Sequence, residues 1–544
     1  MMQYRPSPAK RPRSATSEEH TTESLRDIVE GINQAVTTRQ RFEILSQLFE
    51  AIHYDASSRI PCVDSSLLEF CVELGVIQSL CLQLGFVLRR HGSCQEEITQ
   101  TCTAIAIFYR FCPDLVSSES SLQSRGPDLF FLLPEAFRKG ILLPVLSIWH
   151  SISSSKVGTH ILLQNPSVLL ATRDVMRQKM CGKEGLMETL GLLKNITYYG
   201  EEYRNRIVEQ PGFLSTITSL PLEENCEKVR ERLSAVFRNL ALSSGTRPVL
   251  VQNSEFLTAI ASLASSTSLT ILRNLLSTLV SLAMDADSSL LIVFHGEGIL
   301  VEILTRYVTH MEDVTVRRRA ARALRLVTQE TSAPLMVHNN KLMKVLSERA
   351  LHDSSSEVRA EAAEAFARCA SLVKAPMAQH DAMLDALTHL ASNPQAIPAD
   401  VMARALRDQA SHSENRKAMA KREALMTALC QIAMSPESSR SAKENVCLAM
   451  LDLSSDEGDE TRILITTPLA LEALVQNSAG DNHPRIRQHA VETILNLAKV
   501  STNRNAMAKQ SNLLQSLLQY ASATQLNDLK AKVKGTIIHL ASEL

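Results

Sequence analysis

VRRRAARALRLVT, residues 316–328, decides the fold. Its small and apolar residues recur at helical spacing, while Arg318, Arg322 and Arg325 share one side of the same helix, with Arg319 adjoining. VRERLSAVFRNLA (229–241), VRAEAAEAFARCA (358–370) and IRQHAVETILNLA (486–498) repeat the template, opening on an aliphatic residue and usually arginine. Each closes on Leu-Ala or a near variant. The residue before that pair falls at Asn195, Asn239, Ser281, Leu326, Arg368, Asp408, Asp452, Asn496 and His539, in steps of 44, 42, 45, 42, 40, 44, 44 and 43. Ser151 and Arg110 extend the series backwards.

A second phase accompanies the first. After each closing pair comes a short polar break, and then another helical pattern opens at Thr246, Ser289, Asn415 and Asn503. Such residues suit helix N-caps, where a side-chain oxygen accepts from the unpaired amides of the first turn. Each unit therefore reads as a short helix, a bend, a second helix such as FLTAIASLA (256–264), a loop and a longer third helix. One helical triplet cannot bury the apolar residues it shows on several faces, so neighbours must stack to make a continuous core. Five places before the closing residue stand Ser234, Ala321, Ala363, Ala403 and Cys447, small enough for third helices to approach closely.

Composition agrees with a repetitive helical chain. At 544 residues it exceeds the size at which a single core keeps growing; aromatics are 4%, and Gly (18) and Pro (19) are scarce. Lys plus Arg number 57 against 58 Asp plus Glu, so no global field drives the chain onto nucleic acid or anionic lipid. The eleven cysteines include no close C-x-x-C pair and no apolar signal segment opens the chain, which reads as an intracellular protein with reduced thiols, cytoplasmic or also nuclear. Apolar runs such as 139–149 are shorter than the roughly 20 residues of a membrane span, so none is expected.

The period near 42, the third helix ending like NLA and the first helix opening like NR resemble the armadillo repeat over residues 128–544, with Val316–Ala370 equally similar to the two-helix HEAT repeat. The resemblance implies an all-α, right-handed superhelix of about ten or eleven repeats. It departs from the family pattern between the first two helices, where glycine stands at Gly212 and Gly298, but Glu255, Lys341, Ala424 and Asn512 occupy the place elsewhere. Residues 1–23 read as a disordered tail. Residues 24–127 read as a helical cap (24–36 and 39–52), a divergent first repeat and a Ser-rich loop at 117–127. Lys10, Arg11 and Arg13 form a short basic run that is either a nuclear signal or a chance feature of the tail.

No phosphate-cradling glycine loop, H-E-x-x-H pair, nucleophile elbow or paired-cysteine pattern occurs, which points away from an enzyme, and no cofactor or metal is implied. His160, His295 and His338 belong to different units, too far apart to suggest one ligand set. In armadillo proteins third helices line the concave face and their asparagines bind the backbone of an extended peptide. The resemblance carries that role to Asn195, Asn239 and Asn496 only. Where nuclear import adaptors carry tryptophan one turn earlier, this chain has Gly191, Ala235 and Glu492, so a receptor of that kind is not expected.

The densest charge feature is Arg317, Arg318, Arg319, Arg322 and Arg325. Two readings stay open: a strip that pairs with acidic peptide or phosphate, or internal pairing with Glu361 and Glu364 of the next third helix. The sequence thus predicts a non-catalytic scaffold binding a protein partner, as extended peptide or helix, through Asn195, Asn239, Arg318, Arg319, Arg322, Arg325, Arg368 and Asn496. A nucleic-acid-binding helical repeat is the alternative; near-neutral charge and few aromatics give it little support.

Overall fold

The computed structural model describes residues 76–89, 95–111, 132–220 except 179 and 181, 226–372 except 311, 381–391 and 398–543 except 457 and 511, with Asp27, Gln40 and Gln47 singly. The tail, the two cap helices and the Ser-rich loop inferred from sequence lie almost wholly outside these residues. Among the described residues there is no strand, and the protein is an all-α array of stacked helices. It divides into two compact units, residues 1–246 and 247–544.

The long third helices are the spine of each unit. In the first they are α1 (Leu142–Ile152), α2 (Gly182–Tyr199) and α3 (Glu227–Leu240), each packed on the next. In the second they are α4 (Leu269–Leu282), α5 (Val314–Val327), α6 (Ser356–Leu372), α7 (Ala399–Ala410), α8 (Arg440–Ser454), α9 (Pro484–Leu497) and α10 (Asn527–Ala541), again stacked in order. Second helices form a parallel stack behind them: Ile299–Val308, Asn340–His352, Asp381–Ala391, Glu423–Met434, Pro468–Ser478 and Leu513–Ala523 each pack on the following one. The period read from sequence is therefore the packing period.

Close approach of the third helices follows from their small residues. Ser234, Ala321, Ala363, Ala403 and Cys447 are all buried. Ala363→Leu should force neighbouring helices apart and cost about 1–3 kcal/mol, read as a lower denaturant midpoint; Ala363→Ser, close to alanine in volume, should cost less.

The polar break works differently from the sequence expectation. Thr246, Ser289, Asn415 and Asn503 do not accept from first-turn amides; they donate. Asn415 Nδ2 donates to Gln409 O (3.2 Å) and Asn503 Nδ2 to Leu497 O (3.2 Å), while Thr246 Oγ1 donates to Leu240 O and Ser289 Oγ to Asp285 O and Leu326 O (3.4 Å each). The last carbonyls of an α-helix have no partner within it, and these side chains supply one. The following arginines help: Arg416 Nε donates to Ala410 O (3.0 Å), and at the matching place Arg462 Nε donates to Ser454 O (3.0 Å). True N-caps sit elsewhere, with Asn253, Asn339 and Thr467 on second helices and Asp313 and Ser439 on third helices, each accepting from an amide three residues on.

The bend between first and second helices is made in more than one way, and at Arg422 by extended backbone without a side-chain cap. Gly212 (φ 71°), Gly298 (φ 92°) and Asn512 (φ 66°) take it in the left-handed region, whereas Asn253, Asn339 and Thr467 take it in extended or intermediate backbone with a side-chain cap. This is why glycine is dispensable there. Among the described residues one apolar helical stretch, Asp287–Val308, reaches the length of a membrane span, 22 residues, and escaped the sequence reading. Gly296, Glu297 and Gly298 are all left-handed and break it into Ala286–Phe294 and Ile299–Val308, each too short to cross.

Candidate functional site

Each third helix turns one row of side chains outward at steps of three and four residues. The structure places the sequence-predicted strip on these rows, but in two separately described units. Asn195 and Asn239 belong to the first unit; Arg318, Arg319, Arg322, Arg325, Arg368 and Asn496 belong to the second.

The asparagines are staples between third helices, with Asn195 and Asn496 half-buried and Asn239 buried. Asn195 Nδ2 donates to His150 O (3.3 Å) and Ser153 Oγ (3.1 Å) at the end of α1. Asn239 repeats the contact one unit on, donating to Lys194 O (3.0 Å) and Thr197 Oγ1 (3.2 Å), while its Oδ1 accepts from Arg238. With 1% of its surface exposed, Asn239 presents nothing to a partner. Asn496 Nδ2 donates to Ser454 Oγ (3.2 Å) and Ser455 Oγ (3.4 Å) at the end of α8, and its Oδ1 accepts from Lys499. The place expected to carry tryptophan in an import adaptor is filled as well. A Cβ on Gly191 would meet the His150 ring and the Arg232 guanidinium, so a side chain there would require both to move aside.

The arginine cluster divides by depth. Arg317 is buried and forks onto Asp353, Nε to Oδ2 at 2.8 Å and Nη2 to Oδ1 at 3.1 Å, with Nη1 donating to His310 O at 3.0 Å. Burial alone would push the Asp353 carboxyl up; hydrogen bonds from Arg317 and from the Ser355 amide, with the charges of Arg317 and Arg349, outweigh it and hold the group below its ordinary value. Asp313 shows the same balance one repeat earlier, accepting from Arg273 and from the Val316 amide.

Arg325 takes the internal option, pairing with Glu361 Oε2 (2.6 Å) and Glu364 Oε1 (3.3 Å) of α6. Arg368 joins the same carboxylate at 3.1 Å. Arg318 pairs with exposed Glu357, a contact worth about 0–1 kcal/mol, and Arg319 Nη1 donates to Arg273 O at 2.7 Å. Arg322 alone of the five is exposed with no ion-pair or hydrogen-bond partner among the described residues.

Sequence reading missed its counterpart. Arg404 stands four residues before closing residue Asp408, as Arg322 stands before Leu326, and it too is exposed without a partner among the described residues. Register could have found it; charge density could not, because Arg407 is the one other arginine in that helix.

Elsewhere the chemistry is quiet. Among the described residues no group of three or more His, Cys, Asp or Glu could hold a metal. Burial pushes the thiols of Cys102, Cys369, Cys430 and Cys447 up to about 12, which keeps them protonated and unreactive. A groove of about 640 Å³ beside Leu390, Met402 and Ile432 is also lined by Gln431, Ser435 and Glu437.

No family model matches the chain, and no curated protein matches it. Among solved structures, an engineered protein aligns at TM-score 0.44 and 15% identity, covering 96% of this chain and 99% of that one. A chain from work on a phosphorylation switch controlling the interaction between cadherin and beta-catenin aligns at TM-score 0.49 and 12% identity, covering 96% of this chain and 91% of that one. The assignment to a stacked helical repeat rests on this chain's own period and packing.

Proposed function

We propose that the protein is an intracellular, non-catalytic scaffold of armadillo-like repeats that holds a protein partner along the outward row of α4 to α7. The observation that carries this reading is the unpaired state of Arg322 and Arg404 on a surface where neighbouring charges are paired. An exposed arginine left out of an otherwise paired network costs the fold little and keeps five donors ready for a carboxylate or phosphate. A rigid helical array presents such groups at fixed spacing, so several modest contacts add without a large ordering cost.

Affinity purification from the source cell with the wild type and with Arg319→Glu/Arg322→Glu tests the reading. The double variant should lose a defined subset of partners while its circular dichroism is unchanged. An identical partner list would remove the row as the binding surface. Weak retention on heparin at low salt is expected for both proteins; strong retention falling steeply with salt would favour a nucleic-acid partner instead.

A further inference from the structure

We infer that the partner bound by this row is an acidic peptide segment in extended conformation, with two carboxylates five or six residues apart that pair with Arg322 and Arg404. The inference rests on the scaffold reading above and adds the partner's chemistry. Three observations lead to it.

Register comes first. Arg322 on α5 and Arg404 on α7 occupy the same place in their helices, four before the closing residue, and α6 is the single third helix between them. Packed helices lie about 8–10 Å apart, so the two guanidinium groups stand roughly 16–20 Å apart along the row. A strand rises about 3.3 Å per residue, and five or six residues span that distance.

The second is what lies between. At the same register α6 carries Glu364, with Glu357 and Glu361 beside it, and these carboxylates are held by Arg318, Arg325 and Arg368. The row thus reads cation, neutralised acid, cation. A phosphodiester chain or an anionic membrane brings negative charge at every step and would press some of it onto the α6 carboxylates. A peptide can place neutral residues there and acids only at the two ends. This favours peptide over nucleic acid or lipid.

Third is the chemistry of the contact. Arginine forks onto a carboxylate through two parallel hydrogen bonds, and Arg317 with Asp353 shows that geometry in this fold. Arg322 and Arg404 offer the same fork outward.

A phage-displayed library of random twelve-residue peptides, selected on the full chain, is the probe. Enriched peptides should carry paired Asp or Glu at a spacing of five or six. On Arg322→Glu/Arg404→Glu the same clones should lose at least tenfold in enrichment, whereas Arg322→Lys/Arg404→Lys should retain most of it. Both sites are exposed, so the variants should fold, and circular dichroism checks this. Enrichment of peptides lacking acidic pairs, equal enrichment on the charge-reversed variant, or no enrichment at all would each overturn the inference. If cellular partners depend on Arg319 and Arg322 but displayed acidic peptides do not, the peptide chemistry fails and the scaffold stands; if neither depends on them, both fail.

Discussion

Asp353→Ala is expected to destabilise the second unit by about 3–5 kcal/mol, the cost of leaving a buried charge without its partner. Asp353 is buried and held from several sides. Its carboxylate receives both arms of Arg317 and the Ser355 amide (2.9 Å), and lies 3.6 Å from Arg349, while its backbone oxygen accepts from Arg359 (2.8 Å). Removing it strands the Arg317 guanidinium inside the seam between α5 and α6. Replacing both partners by apolar residues, as Arg317→Met/Asp353→Leu, should recover most of the loss, because the cost belongs to the orphaned charge and not to the absence of a pair. Denaturant midpoints of the single and double variants check this, and equal destabilisation by both would contradict it.

The same group sets a pH dependence. Asp353 and Asp313 both have folded-state values held below the ordinary 3.8. Stability from a depressed carboxyl is fully present above the unfolded value and is lost as pH falls through the folded one. The second unit should therefore keep its midpoint from neutral pH down to about 5 and lose stability progressively below about 4. Asp353→Ala should flatten that acid slope.

Trp149→Ala is the second large effect, about 3–5 kcal/mol, confined to the first unit. Trp149 is 1% exposed in α1 and stacks on Phe137 with ring centroids 5.5 Å apart. Its removal opens a cavity beside Phe137 in the buried face of α1. Because it is the chain's single tryptophan, unfolding of the variant is followed by circular dichroism. A loss below 1 kcal/mol would mean that α1 is not core.

Much of this was legible in sequence, for a physical reason. Repeats impose the same packing problem at each step, so small residues such as Ala321, Ala363 and Ala403 recur where helices touch, and the period appears without any knowledge of the fold. Side-chain direction was not legible. Asn503 and Thr246 have cap chemistry, but whether they accept from the helix ahead or donate to the helix behind depends on backbone placement within one residue. Asn239 reads as a ladder rung until the carbonyl of Lys194 is found beside its amide. The arginine cluster was half legible: Glu361 and Glu364 could be named as partners of the next helix, yet which arginine they take is a matter of rotation, and it is Arg325 that reaches them.

Amide hydrogen exchange read by mass spectrometry on the full chain tests the seam of stacked third helices most directly. The slowest exchange should fall on α2, α3 and α4 to α9, recurring about every 42 residues as the sequence period requires, with faster exchange in the breaks after each closing residue. Protection without that period, or third helices exchanging as fast as the breaks between them, would contradict the account.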